Sequence, residues 1–436
     1  MDRDALWALF EWRRREGRKP LLIQGARQVG KTWLMREFGR RHFDRVAYVN
    51  FDHNPAMERL FSSDMDTARL VRGLEIETRT AIDPDRTLLI FDEIQECSGA
   101  LASLKYFCEQ LPRQALLAAG SLLGVAIKHG GLSFPVGKVD FLQLHPLTFE
   151  EFLGAMGEDA LLRTIRDLDF PLLSTFRDRL IRWLGTYFFA GGMPEAVANF
   201  AEFRSFPRVR ELQNNLLRAF QSDFAKHIPS ASIPKAHLVW RSLPAQLAKG
   251  NRRFIYRDLH PGARAKEFED ALEWLQSCGL AHGVPRVSKP GLPLAAYRDG
   301  DAFKLFALDV GLLCAMAGLD ERTLLEGNRI FEEFKGALAE QFVLQQLKTS
   351  PAFDFAHWAS RTAEVDFLVQ FGGQVIPIEV KATTNLQAKS LKFYCEKYNP
   401  PVALRCSLAD HKASGQVIDV PLYLCGQVSK ILRASL

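Results

Sequence analysis

Short apolar runs alternate along residues 1–150 with longer stretches in which apolar positions recur every three or four residues. The runs lie at 21–24, 45–51, 86–91 and 114–120. Each run has the length of a buried strand, and the stretches between them have the spacing of amphipathic helices. Alternating strand and helix signals predict an α/β fold built on a parallel sheet.

The middle of the chain has a different pattern, in which helices dominate. Residues 145–205 carry large apolar side chains at helical spacing, and we interpret them as a helical lid on the sheet. From about 206, helical segments precede two strands at 280–287 and 302–308, an order typical of a winged helix. Its last helix carries Arg264 and Lys266 but also four acidic residues. A role as a spacer and a role in contacting DNA phosphates therefore both stay open.

The C-terminal pattern is a helix followed by a hairpin. Residues 331–348 have a helical apolar stripe, and strands follow at 355–359, 364–371 and 374–381, with a turn at Gly372-Gly373. This order again predicts an α/β arrangement, separate from the first sheet.

Composition narrows the class of protein. A chain of 436 residues is too long for one core, so we expect two to three domains. Its 47% hydrophobic and 25% charged residues are typical of globular proteins, and a net charge of +5 indicates little about partners. Seven scattered cysteines without a C-x-x-C pair favour reduced thiols over disulfides or zinc. The charged N-terminus and the lack of a long apolar run lead us to expect a cytoplasmic protein without a membrane partner.

A glycine-rich loop follows the first apolar run. Residues 25–32 match G-x-x-x-x-G-K-[ST], the phosphate-binding (Walker A) pattern. Gly25 and Gly30 let main-chain N–H groups line an anion site, and the next helix adds its positive N-terminal end. Lys31 would reach the β- and γ-phosphates of ATP, and the Thr32 hydroxyl would hold Mg²⁺. An incidental glycine turn is the alternative, but the strand before and the helix after favour a nucleotide site. Its candidate contact residues are Gly25, Ala26, Arg27, Gln28, Val29, Gly30, Lys31, Thr32, Trp33 and Ser121.

Polar residues end two later strands of the same sheet. Asp92 and Glu93 follow the run at 86–91, at the sheet edge where ligands bind in parallel sheets. We expect Asp92 to orient Mg²⁺ and Glu93 to polarise the attacking water. Ser121 follows the run at 114–120 and would sense the γ-phosphate or cap the next helix; both interpretations stay open.

The C-terminal hairpin carries a second candidate site. Glu379 and Lys381 lie on one face of their strand, and Asp366 lies on the paired strand. An acid followed by Glu-x-Lys is the pattern written PD-(D/E)xK, in which Asp366 and Glu379 would hold Mg²⁺ and Lys381 would act on the attacking water. Glu340, on the preceding helix, is a further candidate ligand. The same spacing also fits an exposed, salt-bridged face.

Taken in order, these motifs resemble a bacterial and archaeal family of AAA-type ATPases with a C-terminal domain of unknown function. The resemblance runs over nearly the whole chain and rests on 25–32, 91–95, 120–121, 146–152, 191–195, 303–313, Glu340 and 378–381. It implies nucleotide hydrolysis linked to a PD-(D/E)xK nuclease-like module. Members usually carry Gly-Arg where this chain has Gly137-Lys138, and lysine lacks the planar fork of arginine. Arg27 and Arg182 are other candidates for a residue that completes a neighbouring subunit's site.

We therefore predict three parts: an AAA-type P-loop ATPase domain with a helical lid at 1–205, a winged-helix-like domain at 206–320 and a restriction-endonuclease-like domain at 321–436. The first hypothesis is an ATP-hydrolysing enzyme that acts on DNA, with a C-terminal module that cuts or grips DNA. Its cofactors would be ATP and Mg²⁺. It would form a homo-oligomer, and a ring is one arrangement that such an oligomer could take. The alternative is an ATP-operated signalling or defence switch whose C-terminal domain is inactive and binds a partner.

Overall fold

A computed structural model describes residues 2–120, 134–249, 253–323, 332–350, 353–384 and 386–436. The chain forms two compact units. The N-terminal unit contains Asp2–His145 with Ser277–Gly279, and the C-terminal unit contains Pro146–Gln276 with Leu280–Leu436. The helices expected as a lid thus belong to the C-terminal unit. The three predicted domain boundaries stay predictions.

The N-terminal unit is a parallel sheet with helices. Its elements are α1 (Ala5–Arg14), β1 (Leu21–Gln24), α2 (Lys31–His42), β2 (Arg45–Asn50), α3 (Pro55–Ser63), α4 (Thr67–Thr78), β3 (Thr87–Asp92), α5 (Ser98–Gln110), β4 (Leu116–Ala119) and β5 (Asp140–Gln143). The strands lie in the order β2-β3-β4-β1-β5, and every pairing is parallel. The predicted α/β class and parallel sheet are therefore confirmed.

Burial explains which strands the sequence revealed. All residues of β3 and β4 are buried, and apolar residues dominate both strands. The edge strand β5 alternates between half-buried and exposed positions, so it lacks an apolar run and the sequence did not reveal it.

The C-terminal unit begins with helices and continues with a mixed sheet. Its elements are α6 (Phe149–Ala155), α7 (Asp159–Asp167), α8 (Phe170–Thr175), α9 (Arg177–Ala190), α10 (Pro194–Phe203), α11 (Phe206–His227), α12 (Ile233–Ala248), α13 (Ala265–Ser277), β6 (Ala281–Val287), β7 (Arg298–Ala307), α14 (Val310–Met316), α15 (Glu332–Leu347), β8 (Asp354–Ala359), β9 (Glu364–Phe371), β10 (Gln374–Val380), α16 (Lys389–Tyr398), β11 (Ala403–Ser407), β12 (Lys412–Ser414), β13 (Val417–Pro421) and α17 (Val428–Ser435).

The strands expected as a wing belong to this larger sheet. Its order is β12-β13-β11-β10-β9-β8-β6-β7, so the β6–β7 ribbon continues the sheet that holds the C-terminal hairpin. Strand β6 pairs antiparallel with β7 and parallel with β8. The ribbon therefore brings β7 side chains to the same sheet as β9 and β10, which sets the composition of the site described below.

Buried glutamines of α15 hold the C-terminal unit together. Gln341 exchanges two hydrogen bonds of 2.8 Å with the main chain of Ala307. Gln345 donates to Asp309 at 3.0 Å, and the Gly192 amide donates to the same carboxylate at 2.6 Å. Since these groups are buried, each bond removes an otherwise costly unpaired polar atom. The loop between α9 and α10 of the predicted lid is thereby joined, through Asp309, to the helix that carries Glu340. No helix in the described ranges combines the length and hydropathy that crossing a membrane requires.

Candidate functional site

The glycine-rich loop joins the end of β1 to the start of α2, as the motif requires. Gly30 has a φ of 95° and Gln28 one of 68°, both in the left-handed region. A Cβ on Gly25 would lie 2.4 Å from the Leu144 carbonyl oxygen, so only glycine fits there. The Leu144 amide donates to the Gln24 carbonyl at 2.7 Å. The loop is therefore held against the segment that follows β5.

Lys31 folds back into this loop. Its Nζ donates to the carbonyl oxygens of Gly25 and Ala26, each at 2.9 Å. Burial of the ammonium lowers the pKa of Lys31 to about 8, a shift that the charges of Glu93 and Asp92 oppose. The ammonium is thus partnered by neutral dipoles, and an anion in the loop would stabilise its charged form.

Side-chain oxygen atoms that could bind a metal ion lie beside the loop. The Thr32 hydroxyl donates to Asp92 Oδ2 at 2.7 Å, and the Tyr48 hydroxyl donates to the same oxygen at 2.9 Å. The guanidinium of Arg36 lies 3.8 Å from the centre of the Tyr48 ring. A hydroxyl and a carboxylate side by side are ligands that Mg²⁺ accepts, so these residues fit a magnesium–nucleotide site.

Glu93 begins a tight turn directly after β3. Its φ of 50° lies in the left-handed region, which a residue other than glycine rarely adopts. The Gln95 side-chain amide donates to Glu93 Oε2 at 2.7 Å. Strained backbone at the end of a sheet strand is typical of functional residues. Sequence reasoning gave Tyr48 and Gln95 no role; the signal for Tyr48 was its position on the strand next to β3.

A buried arginine near the N-terminus also contacts the loop. Arg3 is 6% exposed, and its guanidinium donates to the Val29 carbonyl at 3.1 Å and to the His145 carbonyl at 2.6 Å. It joins the phosphate loop to the segment after β5. Nothing in the sequence pattern marked it, because its partners are main-chain atoms far along the chain.

Other predicted residues of this site differ in exposure. Ala26 and Val29 are buried, Arg27 is half-buried, and Gln28 and Trp33 are exposed. Ser121 lies outside the described residues. Of the candidates for a residue acting on a neighbouring subunit, Lys138 forms an ion pair of 2.8 Å with Glu109 of its own chain, and Arg182 is exposed on α9.

The C-terminal hairpin brings its predicted residues together. Ile378 of β10 pairs with Phe367 of β9, which puts Glu379 beside Asp366. Asp366 Oδ2 accepts a hydrogen bond of 2.8 Å from the Val380 amide, and Lys381 Nζ lies 2.6 Å from Glu379 Oε1. Burial, and next the charge of Asp366, raise the pKa of Glu379 to about 7.

Sequence reasoning missed the lysine at the centre of this cluster. Lys304 of β7 is fully buried, and its Nζ lies 2.5 Å from Glu364 Oε1. The same nitrogen lies 3.5 Å from Glu340 Oε2 and 3.5 Å from Asp366 Oδ1. Within the part of the chain that the structure describes, no three His, Cys, Asp or Glu side chains are arranged to hold a metal ion. Lys304 Nζ thus lies 3.5 Å from two of the three residues predicted to hold a divalent ion, and the assignment of Glu340, Asp366 and Glu379 as metal ligands stays a prediction.

Three family models match successive parts of the chain. Residues 17–153 match an AAA domain, 181–323 match a domain of unknown function (DUF8612), and 335–423 match a domain of unknown function (DUF4143). The first range contains the phosphate loop and the Asp92–Glu93 pair. This match supports an AAA-type ATPase domain in the first part of the chain.

Two curated relatives are similar over most of the chain. They are the uncharacterized proteins Mb2031c of Mycobacterium bovis and Rv2008c of Mycobacterium tuberculosis, each 26% identical over 376 residues, covering 84% of this chain and 70% of the relative. Among solved structures, the Walker-type ATPase PABY2304 of Pyrococcus abyssi is 13% identical with a TM-score of 0.45, covering 72% of this chain and 95% of that chain. The ORC2 protein of Aeropyrum pernix is 15% identical with a TM-score of 0.38, covering 77% and 92%. At these scores neither structure establishes a shared fold.

Proposed function

We propose that this chain binds ATP at the loop 25–32 and hydrolyses it. The observation that carries the proposal is the junction of α2 and β3, where the Thr32 hydroxyl meets Asp92 at 2.7 Å. Beside this pair lies a buried lysine whose present partners are carbonyl oxygens. The match of residues 17–153 to an AAA domain supports the same activity.

Each residue of the site would have a separate role in ATP hydrolysis. The loop amides and the Lys31 ammonium would bind the phosphates, because the loop contributes dipoles and the lysine contributes a charge. Thr32 and Asp92 would hold Mg²⁺, which when bound neutralises phosphate charge. Glu93 would accept a proton from the attacking water, and Gln95 would fix the orientation of that carboxylate through their 2.7 Å bond.

Substitution of Lys31 by alanine tests the proposal. We expect Lys31→Ala to lower the rate of phosphate release from ATP by about 100-fold or more, since a single group that stabilises transition-state charge contributes roughly that factor. Lys105→Ala, which removes an exposed lysine of α5, is the matched control and should keep the wild-type rate. Equal rates in wild type and Lys31→Ala would show that hydrolysis occurs elsewhere.

A second candidate function concerns the C-terminal unit, and we propose that it grips DNA through the hairpin. The observation that favours it is the half-buried Lys381 directly after β10 and the exposed Lys389 at the start of α16, the next element along the chain. Lysines in this setting are suited to phosphate contacts. The competing hypothesis is the ATP-operated switch, in which this unit binds a protein partner.

Binding measured at several salt concentrations separates the two hypotheses. We expect the double variant Lys381→Ala/Lys389→Ala to reduce the slope of log Kd against log salt by about two, one for each lost phosphate contact. Lys412→Ala, on the edge strand β12 of the same sheet, is the control and should keep the wild-type slope. Labelled duplex and single-stranded DNA serve as probes. Absence of binding to both, at low salt, would favour the switch.

A further inference from the structure

A buried ammonium surrounded by carboxylates forms the centre of the C-terminal cluster. The carboxylates come from two elements, Glu340 from α15 and both Glu364 and Asp366 from β9, while Lys304 comes from β7. Glu364 and Asp366 are two residues apart on one strand, so their side chains share a face. Each of the three lies within 3.5 Å of Lys304 Nζ.

Charge accounts for this arrangement. Glu340 is 1% exposed, Lys304 is fully buried, and the side chains of Asp366 and Glu364 are only partly exposed, so water screens the carboxylates from one another incompletely. Buried like charges at this spacing repel, and they require a compensating positive charge. Lys304 supplies that charge from a strand that the sequence pattern assigned to another domain.

Carboxylates grouped around a positive charge are also what a divalent cation requires. The described residues contain no group of donors arranged for such an ion, although the hairpin pattern predicts one. We infer that Lys304 is the resident cation of this cluster and takes the place of a divalent ion. The wild-type cluster therefore binds no divalent metal, and removal of the ammonium turns the cluster into a divalent-cation site. This inference is independent of ATP hydrolysis.

Replacement of the charge at nearly constant side-chain length tests the inference. Methionine keeps most of the lysine stem but not its charge, so in Lys304→Met the three carboxylates repel one another until an added cation draws them together. We expect this variant to have a lower Tm than wild type without metal, and Mn²⁺ at about 100 times its Kd to raise that Tm by about 5–10 °C. The Tm of wild type should not change with Mn²⁺, in the absence of nucleotide.

Two further variants make the result specific. Lys392→Met removes an exposed lysine that pairs with Glu396 at 3.8 Å, and it should behave as wild type. If Lys304→Met does not fold, Lys304→Met/Glu364→Gln, which has one carboxylate fewer, takes its place and should also gain Tm with Mn²⁺.

Direct binding gives a second measurement. Without nucleotide, terbium luminescence should show that Lys304→Met binds Tb³⁺. The double variant Lys304→Met/Asp366→Asn should not bind it. Terbium binding to wild type that Asp366→Asn abolishes would overturn the inference, as would a Lys304→Met protein whose Tm does not respond to Mn²⁺. Neither result depends on ATP turnover, so failure of this inference is distinguishable from failure of the proposed ATPase.

Discussion

Two buried lysines lie beside carboxylates in this protein, and their partners differ in kind. Lys31 donates to two main-chain carbonyls, while the nearby Asp92 accepts from two hydroxyls. Lys304 lies within 3.5 Å of three carboxylates. Neutral dipoles are weak partners for an ammonium, and an incoming phosphate can replace them. Carboxylates are strong partners, and replacing them would leave buried charges unpaired.

These partners indicate that the Lys31 site is arranged for a ligand, while the charges of the Lys304 cluster are balanced within the chain. At the phosphate loop, burial lowers the pKa of Lys31 to about 8, because the charges of Glu93 and Asp92 only partly offset the loss of water. A bound triphosphate would favour the charged lysine and so contribute to affinity. In the C-terminal cluster the positive charge already has its anions. Both sites contain a buried lysine near carboxylates, and the direct partners of the lysine determine whether it is available to a ligand.

The largest effect that sharpens this comparison concerns Glu93. We expect Glu93→Gln to lower kcat for ATP hydrolysis by about 10²–10⁴-fold, the range for loss of a general base, and to change nucleotide affinity little. The free energy of unfolding should stay near that of wild type, since Glu93 is only partly buried. Steady-state kinetics, nucleotide titration calorimetry and denaturant unfolding measure the three quantities.

An exposed glutamate of the same unit provides the control for that variant. Glu58→Gln on α3 should leave kcat and affinity unchanged. If Glu93→Gln lost stability and kept activity, the phosphate-loop carboxylates would resemble those around Lys304, and the contrast between the two sites would be wrong.

The features that the sequence predicted correctly are local in the chain. The phosphate loop has its glycines, lysine and threonine within eight residues, and β3 is a buried run of six that ends at Asp92. The hairpin is also local, and its turn residues Gly372 and Gly373 have φ values of 57° and 73°. Short-range patterns of this kind determine structure through backbone geometry and burial alone.

The features that the sequence did not reveal depend on distant contacts. Lys304 precedes the carboxylates of β9 by about 60 residues, and its charge is visible only as an interruption of an apolar run. Arg3 reaches the Val29 and His145 carbonyls, which no side-chain pattern can indicate. Gln341 and Gln345 read as ordinary polar positions of a helix, but they are buried and bonded. Only the tertiary fold brings such partners together.

A smaller expected effect is the pH dependence of stability caused by His357, a histidine next to the Lys304 cluster. His357 of β8 is 1% exposed, and its Nδ1 lies 3.1 Å from the Val284 carbonyl oxygen. Burial, and next the charge of Lys304, lower its pKa to about 3; Arg286 lowers the pKa further, and Asp366 opposes the shift. The folded protein therefore holds this imidazole neutral at pH values at which the unfolded chain protonates it.

The sign of the pH effect follows from these pKa values. Between pH 6.5 and 3 the unfolded state binds more protons at this residue, so the contribution of His357 to stability is present above pH 6.5 and is lost as the pH falls. From pH 6.5 to pH 5 we expect a loss of about 1–2 kcal/mol in the free energy of unfolding, at roughly 1.4 kcal/mol for each pKa unit. Denaturant unfolding at several pH values measures this loss of stability.

Two histidine variants test the assignment to His357. His357→Gln, which keeps a donor for Val284, should remove this part of the dependence of unfolding free energy on pH. His260→Gln, at an exposed position on the same unit, should retain it. An unchanged slope in His357→Gln would mean that the imidazole next to the cluster takes up its proton in the folded state, against a positive charge at Lys304.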